Sequence, residues 1–547
     1  MNYTKYYALP IVLILAGTGC TNTMSQVQPR SMGMRQTAEK DALREHCRMM
    51  PQMSVCEQFK NDPFASFISF NRSIAGLSEA KAQTTETIQN QATFELNTTL
   101  VKKTIAGRTI RMLSYNDQIP GPLLRVKQND AITIKLNNKL DDSTTVHWHG
   151  LRLDNLNDGV PYTTQQPLNP GNSYTYRLKF PDAGLYWYHP HIREDYQKEL
   201  GLYGLIWVEP TDPDTFAPVN STEFLAIDDI LLGDEDVIPF DKDHLNHTLM
   251  GRFGNVMMIN GKTDYSVTTP KNSVIRFAMA NSANTRTFKI GIPGAKMKLV
   301  GGDSGGYQND SWVDTVILAP SERAIVDVQF SKPGTYKIQH LGPEKQYDLG
   351  TVIVQNTSAT QDYSLAFKTL KTRPVDFVGL DSYNSAPIDK ELDLTIDMPG
   401  MMGNMEMNQM MHGSTDGIEW EDSMATMNEN SNDQALSWVI KDKATGLIND
   451  KIDYNFKRDQ KVKIRIFNAG NSMHPMQHPI HFHGNRFVVL STNGEKNTNF
   501  AWKDTVLVPI GATVDILLDT SNPGDWMAHC HISEHFLEGM MFTYHVK

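Results

Sequence analysis

The chain has 547 residues, of which 40% are hydrophobic and 21% charged, and its formal net charge is −11 with a sequence pI near 5.9. This length exceeds what one hydrophobic core usually serves, and the composition is that of a soluble globular protein, so about three domains are expected. The acidic balance and the lack of a long basic cluster argue against nucleic acid or an anionic membrane surface as the main partner.

The N-terminus has the pattern of a bacterial export signal. Lys5 precedes an apolar run over residues 8–16, and small residues continue to Cys20. The run is too short for a comfortable membrane span. The sequence before Cys20 resembles a lipoprotein processing site, although Gly17 stands where leucine is preferred. We therefore expect a signal peptide over residues 1–20 and a periplasmic or outer-membrane-anchored lipoprotein of a bacterium. Simple cleavage and release, or an uncleaved anchor, are the alternatives.

Residues 21–85 are rich in Gln, Ser, Ala and Met and are predicted to be a tether with a short helical segment near residues 37–48. Cys47 and Cys56 lie close together in this part of the chain. An oxidising periplasm would permit a disulfide between them, and the alternative is two unpaired thiols.

Many short alternating runs follow, each bounded by Gly, Pro or Asn. Examples are residues 131–136, 174–180, 273–279 and 324–330. Apolar and polar residues alternate with a period of two in such runs, as they do in half-buried strands. The pattern is typical of all-β sandwiches.

One local motif occurs three times in the chain. A strand leads to Gly184, Gly334 or Gly524, an aromatic residue comes two positions later, and a second strand ends in polar residues that can bind a metal. The glycines are spaced by 150 and 190 residues, and the surplus of 40 is close to the length of a Met-rich insertion. The chain is therefore predicted to contain three copies of one sandwich, and the middle copy has lost most of its ligands. The predicted domains are residues 86–210, 211–370 and 371–547, with the insertion at 398–433.

Ten of the 17 histidines fall in four short clusters. The clusters contain His147 and His149; His189 and His191; His478, His481 and His483; and His529, His531 and His535 with Cys530 and Met540. On a strand, residues i and i+2 point to the same face, so each His-x-His pair can present two imidazoles to one point. Cys530 then faces away from its two neighbours, so this strand can contact two different metal sites.

Two His, one Cys and a weak axial Met make the ligand set of a blue-copper electron-transfer site. Cys530, His535 and Met540 lie on one loop, and His478 can supply the fourth ligand. The other eight imidazoles suit a group of several copper ions, and the clusters contain no carboxylates, which disfavours magnesium, calcium and manganese. One Cys with ten His does not fit closed tetrahedral zinc sites. The alternative, that these histidines are ordinary core or surface residues, would need four coincidences.

The motifs His-Trp-His-Gly, His-Pro-His, His-x-x-His-x-His and His-Cys-His-x3-His-x4-Met resemble the four copper motifs of multicopper oxidases, the laccases and cuprous oxidases, over roughly residues 86–547. The resemblance implies an all-β fold of three cupredoxin-like Greek-key β-sandwich domains, with a trinuclear centre between the first and the third. It also implies four copper ions: one type 1, one type 2 and a type 3 pair. Type 1 would take His478, Cys530, His535 and Met540; type 2 would take His147 and His481; type 3 would take His149, His189, His191, His483, His529 and His531.

The resemblance further implies a mechanism. Cys530 passes electrons through its flanking histidines to the trinuclear centre, where four one-electron steps reduce dioxygen to water. Asp158 matches the acidic residue that the family has near this centre; the alternative is a turn-forming Asp before Gly. Cuprous oxidases often carry Glu directly after the type 1 His, whereas this chain has Phe536. The second proton route is therefore in doubt, and Glu534 or Glu538 are the candidates to replace it.

The insertion carries nine methionines between residues 398 and 427. They are Met398, Met401, Met402, Met405, Met407, Met410, Met411, Met424 and Met427. Thioethers are soft ligands that favour Cu(I), so we expect extra labile copper here. The alternative is an apolar patch or a loop whose methionines only fill gaps. The placement resembles the Met-rich segment of cuprous oxidases involved in copper tolerance. Met476 matches a substrate-copper ligand of that subgroup, and His474 stands where the subgroup has Asp. The candidate substrate-copper residues are Met476, His474, Met398, Met401, Met402 and Met405.

Three functions are weighed on these residues. The first is a monomeric cuprous oxidase that takes electrons from Cu(I) and passes them to dioxygen, with a role in copper tolerance. The second is a laccase-like oxidase of small organic reductants such as phenols and amines, or of Fe(II). The third is a copper-sequestering protein without turnover, for which the full trinuclear ligand set would be unnecessary. The membrane would be a partner only through the N-terminal lipid.

Overall fold

The computed structural model describes residues 71–240, 243–397, 416–422, 436–470 and 475–547. The predicted signal peptide, the helical segment near residues 37–48, Cys47, Cys56, His474 and all nine methionines of the insertion lie outside the described residues. None of the helices within these ranges is long and apolar enough to cross a membrane.

The first domain is a sandwich of a four-stranded sheet, β3-β2-β5-β7, and a five-stranded sheet, β1-β4-β9-β8-β6. Helix α1 lies between β8 and β9. The elements are β1 (Thr85–Thr87), β2 (Thr93–Ile105), β3 (Arg108–Tyr115), β4 (Leu123–Lys127), β5 (Ala131–Asn138), β6 (His147–His149), β7 (Ser173–Lys179), β8 (Gly184–His189), α1 (Glu194–Gln197) and β9 (Gly204–Glu209).

The second domain pairs a six-stranded sheet, β11-β10-β13-β18-β15-β16, with a five-stranded sheet, β12-β20-β19-β14-β17. The elements are β10 (Ser221–Ile230), α2 (His244–Met250), β11 (Val256–Ile259), β12 (Ser266–Lys271), β13 (Ser273–Asn281), β14 (Phe288–Gly291), β15 (Lys296–Gly301), β16 (Gly306–Val313), β17 (Thr315–Leu318), β18 (Arg323–Phe330), β19 (Gly334–Leu341), β20 (Gln346–Ser358) and α3 (Ser364–Lys368).

The third domain has the sheets β22-β21-β24-β29-β26-β27 and β23-β31-β30-β25-β28. These orders equal those of the second domain when each strand number is raised by eleven. The elements are β21 (Lys390–Asp397), β22 (Ser437–Asp442), β23 (Asp453–Phe456), β24 (Lys461–Asn468), β25 (His478–Phe482), β26 (Arg486–Thr492), β27 (Glu495–Lys496), β28 (Thr505–Val508), β29 (Thr513–Asp519), β30 (Gly524–Cys530), α4 (Ser533–Leu537) and β31 (Met541–Val546). Short 3-10 turns, at Asn155–Asn157, Pro374–Phe377, Leu380–Ser385 and Asn449–Lys451, complete the described helical structure of the three domains.

The repeated glycine motif is a repeated backbone conformation. Gly184, Gly334 and Gly524 begin the equivalent strands β8, β19 and β30, with φ angles of 137°, 145° and 149°. These positive φ angles favour glycine over residues with a Cβ atom. The predicted all-β architecture of three equivalent sandwiches is thereby confirmed.

The first and third domains share one continuous apolar core. A single cluster of buried side chains contains Leu96 and Ile134 of the first domain together with Ile464 and Ile516 of the third. The second domain has a separate cluster around Val326. The face between the first and third domains is therefore a packed interface.

The predicted domain boundaries stay predictions, but the end of the predicted tether is bound to the first domain. The Ala80 amide donates to the carbonyl of Lys102 at 2.8 Å, and the Lys81 amide donates to the carbonyl of Asp117 at 2.7 Å.

Candidate metal centres

Strand register brings the histidine motifs together in pairs. His147 on β6 lies directly opposite His189 on β8, and His481 on β25 lies directly opposite His529 on β30. Each motif alternates across its strand, so Trp148 between its two histidines packs in the apolar core. The sequence spacing and the register together give the first and the third domain each a small group of imidazoles on one side of the sheet.

The groups of the first and third domains meet across the interface. The ring centroids of His149 and His481 are 3.8 Å apart, and those of His147 and His483 are 4.0 Å apart. Nε2 of His483 lies 3.0 Å from Nε2 of His529. One buried cluster of eight imidazoles results, and each is at most 1% exposed: His147, His149, His189, His191, His481, His483, His529 and His531.

The hydrogen bonds of the cluster leave ring nitrogens for a metal. Five of the imidazoles lie with Nδ1 2.8–2.9 Å from a protein oxygen: His147, His189, His481, His483 and His529. Their Nε2 atoms have no oxygen acceptor, and neither ring nitrogen of His191 or His531 has a hydrogen-bond partner. Buried polar atoms are rarely left unpaired, and a ligating histidine typically donates its other N–H to an oxygen. The free nitrogens therefore fit a metal site.

His149 is turned the other way. Its Nε2 lies 2.9 Å from Oδ1 of Asp504, and its Nδ1 is the nitrogen without a partner. In sets of three, the ligand atoms of this cluster come within 4.8 Å of one another, as in the group formed by His147, His481 and His483. This spacing is close enough for shared metal ions.

Asp158, which the sequence singled out, lies at this cluster. It ends the 3-10 turn Asn155–Asn157, its Oδ2 accepts a hydrogen bond from Nδ1 of His483 at 2.9 Å, and its carbonyl accepts one from Nδ1 of His147 at 2.8 Å. Burial alone would raise the pKa of Asp158, but His483 and His147 hold it well below its usual value. The carboxylate therefore carries a negative charge beside the imidazoles.

Asp504 is a site residue that the sequence did not indicate. Besides contacting His149, its carboxylate accepts a hydrogen bond from Nη1 of Arg323 at 2.7 Å, and a second one from Nη2. Arg323 belongs to the second domain, so all three domains meet here. Gly150 makes the approach possible, because a Cβ atom at this position would collide with the Asp504 carboxylate.

Glu194 is the third carboxylate at the cluster, and the sequence motifs did not indicate it either. Its Oε1 lies 3.4 Å from Nε2 of His191, and its Oε2 lies 4.0 Å from Nδ1 of His189. The histidine motifs contain no carboxylates, but folding brings Asp158, Glu194 and Asp504 to the imidazoles from other segments.

The fourth motif forms a second, separate group of donors. Sγ of Cys530 lies 3.6 Å from Nδ1 of His478 and 3.8 Å from Nδ1 of His535, and the two nitrogens are 3.3 Å apart. All three residues are buried. A triangle of two imidazole nitrogens and one sulfur has the donor set of a blue-copper site.

The triangle is enclosed by apolar and aromatic groups. Met540 is fully buried, and its backbone amide donates to the carbonyl of His535 at 3.1 Å. The Trp438 ring lies 4.1 Å from the His535 ring, and Nε2 of His535 donates to the carbonyl of Leu249 in α2 at 3.3 Å. Burial raises the pKa of the Cys530 thiol and lowers that of His478 to about 3. A bound cation would stabilise the thiolate that ligation requires.

Phe536 occupies the space beside the eight-histidine cluster where an acid was considered. Its ring lies 4.7 Å from the His529 ring and 5.1 Å from the His191 ring. Glu534 is buried and accepts a hydrogen bond from the Thr285 hydroxyl at 3.3 Å. Glu538 follows α4 directly. A second proton route through either glutamate stays a prediction.

The described part of the Met-rich insertion is fixed next to His478. The Glu419 amide donates to Oε1 of Gln477 at 2.9 Å, and Nε2 of Gln477 donates to the carbonyl of Glu419 at 3.0 Å. Trp420 is fully buried, and its carbonyl accepts a hydrogen bond from Nη1 of Arg286 at 2.8 Å. Met476, the residue before Gln477, is also fully buried. Residues 416–422 of the insertion are thus held between the second and third domains.

Comparison with known proteins agrees with this architecture. Two family models, each described as multicopper oxidase, match residues 97–213 and 417–547. A relative from Staphylococcus aureus, multicopper oxidase mco, is 27% identical over 445 residues, which are 80% of this chain and 84% of the relative. Copper resistance protein A of Pseudomonas syringae pv. tomato is 27% identical over 370 residues, which are 59% of this chain and 55% of that protein. The solved multicopper oxidase of Campylobacter jejuni, described as a metallo-oxidase, superposes with a TM-score of 0.65 at 24% identity and covers 87% of this chain and 99% of its own.

Three cupredoxin-like sandwiches with a buried His2Cys triangle and a buried histidine cluster define the class of copper-dependent oxidoreductases. Both donor sets suit copper, because imidazole and thiolate are the ligands that it prefers in proteins. The chain belongs to the multicopper oxidase family, whose members take electrons from a reductant and pass them to dioxygen.

Proposed function

We propose that the protein is a cuprous oxidase, which takes electrons from Cu(I), passes them to dioxygen and contributes to copper tolerance. The observation that carries the proposal is the position of the Met-rich insertion. Glu419 within it is bound to Gln477, which lies between the buried Met476 and the ligand candidate His478. Methionines precede and follow this segment in the sequence. Their soft thioethers would collect Cu(I) close to His478, a candidate ligand of the copper ion that accepts the electron.

Four copper ions complete the proposal: one type 1 ion in the Cys530 triangle with Met540, one type 2 ion and a type 3 pair in the histidine cluster. Copper would supply the one-electron steps that link the reductant to dioxygen. Cys530 and its neighbours His529 and His531 join the two sites through one stretch of backbone. His529 and Cys530 are the last two residues of β30 and His531 follows them directly, so the path from thiolate to cluster imidazole is short and covalent.

The protein residues also prepare the cluster for dioxygen reduction. Asp158 holds His483 and His147 with their free nitrogens directed into the site, and its buried charge compensates positive charge there. Asp158 is also proposed to deliver protons. Closed packing around the eight imidazoles excludes bulk water, which strengthens each electrostatic contact.

A periplasmic or outer-membrane-anchored location and a monomeric state belong to the same proposal. The location is supported by the signal-like residues 1–20 and by the lipoprotein-like sequence before Cys20. Copper resistance protein A, one of the relatives, supports the copper-tolerance role through its name.

The test is oxygen consumption with Cu(I), Fe(II) and a phenol measured side by side. In a variant with Met398, Met401, Met402 and Met405 all changed to Leu, kcat/KM for Cu(I) should fall about tenfold or more, the equivalent of about 1.4 kcal/mol, while phenol oxidation is kept or rises. Leucine keeps the apolar volume but removes the soft donor. Met476→Leu should repeat the defect in milder form.

Met297→Leu is the matched control, because Met297 is a buried core residue of the second domain. It should leave the ratio of Cu(I) to phenol turnover unchanged. If the fourfold variant oxidises Cu(I) as well as the native protein does, the methionines do not handle copper. If phenol is by far the better substrate of the native protein, the laccase-like function is favoured. Copper binding without any oxygen uptake would indicate a sequestering protein.

A further inference from the structure

Glu194 is a buried acidic residue to which the predicted ligand sets give no role. It is 1% exposed, and neither of its carboxylate oxygens has a hydrogen-bond donor. An ionised carboxylate without a partner is strongly disfavoured inside a protein. Buried charges are normally paired or coordinate a metal. A group with this exposure therefore calls for a cation.

Two imidazoles of the histidine cluster lie close to the Glu194 carboxylate. Oε1 of Glu194 lies 3.4 Å from Nε2 of His191, and both ring nitrogens of His191 lack a hydrogen-bond partner. Oε2 lies 4.0 Å from Nδ1 of His189. The carboxylate thus faces the cluster from the side of the His-Pro-His motif. His191 and Glu194 together leave four unpaired donor atoms at one place.

Local structure fixes this arrangement. Glu194 is the first residue of α1, three positions after His191, and all four residues of this helix are buried. The next residue, Asp195, turns away and accepts hydrogen bonds from Arg193 at 2.9 and 2.7 Å. The two neighbouring acids therefore have different environments. Only the carboxylate of Glu194, within this described helix, faces the imidazoles.

The other two acids of the cluster already have partners. Asp158 accepts a hydrogen bond from His483, and Asp504 is bound by Arg323 and His149. Their charges are used to orient imidazoles. Glu194 accepts no hydrogen bond, so both of its oxygens are available to a metal ion, although the buried Lys198 lies close enough to act on its charge.

We propose that Glu194 is a copper ligand of the histidine cluster, binding through its carboxylate next to His191. The inference rests on the proposed trinuclear copper site. It adds one anionic oxygen donor to an otherwise all-imidazole set, on the first-domain side. A negative ligand at this place would strengthen the attraction for the cation, since opposite charges interact strongly in a buried site.

The experiment compares holoenzymes of the native protein, Glu194→Gln, Glu194→Asp and Asp195→Asn after dialysis against a copper chelator. The measurements are copper per chain, the electron paramagnetic resonance spectrum, the blue colour and far-ultraviolet circular dichroism. Glutamine keeps the volume and an acceptor oxygen but is a poor ligand, so Glu194→Gln should lose cluster copper about tenfold more readily, with the colour retained. Glu194→Asp should retain more copper than Glu194→Gln does, and Asp195→Asn should match the native protein.

Each other outcome overturns the inference. If Glu194→Gln retains copper as well as the native protein does, Glu194 is only a hydrogen-bond acceptor that orients His191. Equal losses in Glu194→Gln and Glu194→Asp, or a Gln variant that loses its fold as well, would mean that position 194 only packs. If the native protein itself retains copper in the Cys530 triangle alone, the trinuclear site and the Glu194 ligand fail together. If the native protein holds its full set of copper ions and Glu194→Gln retains them equally well, only the Glu194 ligand is excluded.

Discussion

The Gln477 carboxamide and the backbone of Glu419 exchange two hydrogen bonds, at 2.9 and 3.0 Å, one residue away from His478. Gln477 is 1% exposed and Glu419 is 5% exposed, so the pair is shielded from water. The pair joins the Met-rich insertion to the strand that carries a ligand of the Cys530 triangle. A structural change in the insertion can therefore affect the metal site of the Cys530 triangle through the single peptide unit that joins Gln477 to His478.

Gln477→Ala should destabilise the protein by about 1–3 kcal/mol, because it removes two hydrogen bonds from the buried backbone of Glu419. Cu(I) oxidation should fall more than phenol oxidation, since Glu419 of the insertion is then no longer bound next to His478. Chemical denaturation and oxygen uptake check the two effects. Gln339→Ala is the control, because its hydrogen bond to Asp348 is exposed and its loss should change stability by less than about 0.5 kcal/mol. If the ratio of Cu(I) oxidation to phenol oxidation is unchanged in Gln477→Ala, the hydrogen bonds between Gln477 and Glu419 have no role in catalysis.

Cys530→Ser should abolish the blue colour of the copper-loaded protein. The colour of a His2Cys copper site depends on its thiolate, and serine supplies no sulfur. The eight-histidine cluster keeps its donors, so copper content should fall only by the ion of the triangle. Visible absorption and metal analysis measure both. An intense visible band that survives in the serine variant would exclude Cys530 as the ligand.

Arg323→Met should destabilise the protein by about 3–5 kcal/mol and loosen copper in the histidine cluster, because the Asp504 carboxylate is left buried without its partner. Arg323→Lys should have a smaller effect, since it keeps the charge and loses the two-pronged geometry. Unfolding experiments and copper retention test this. Arg276→Met is the control: it breaks a similar buried pair with Asp327, far from the imidazoles. If both Met variants lose copper equally, Arg323 acts through general stability.

His340→Gln should make the protein less sensitive to acid. Burial lowers the pKa of His340 from 6.5 to about 4, and Nδ1 accepts a hydrogen bond from the Lys289 amide at 3.0 Å. Because the folded-state pKa lies below that of the unfolded chain, protons favour unfolding. The native protein therefore keeps this stability above about pH 6.5 and loses up to about 3 kcal/mol as the pH falls toward 4. The variant should lose less in denaturation curves at pH 7 and pH 4. Identical losses would assign the acid sensitivity to other groups.

Much of the fold and the grouping of the histidines could be predicted because both follow short-range rules. A period of two identifies a strand, and the same period sends His147 and His149 to one side and Trp148 to the other. The three glycine motifs predicted the threefold architecture for a similar reason, since each is a local turn with a fixed backbone conformation.

Asp504 and Arg323 could not be predicted in this way. Asp504 is 355 positions from its partner His149, and the contact exists only after the first and third domains have docked. No local pattern distinguishes Asp504 from the other acids of the chain. Glu194 is different, because it lies only three positions after His191 in the chain, next to the His-Pro-His motif. That signal was present in the sequence and was overlooked.

The bond between Arg323 and Asp504 also bears on why the second domain is retained. It contributes no ligand to the proposed copper sets, yet its arginine supports the acid that holds His149. The histidine cluster lies between domains of one chain, as some metal sites lie between the subunits of an oligomer. Metal binding and domain docking therefore stabilise each other. Metal removal should therefore loosen the packing of the second domain as well as the first and third. Proteases should then cut the connections between the domains sooner in the metal-free protein than in the loaded one, although the second domain itself never touches copper.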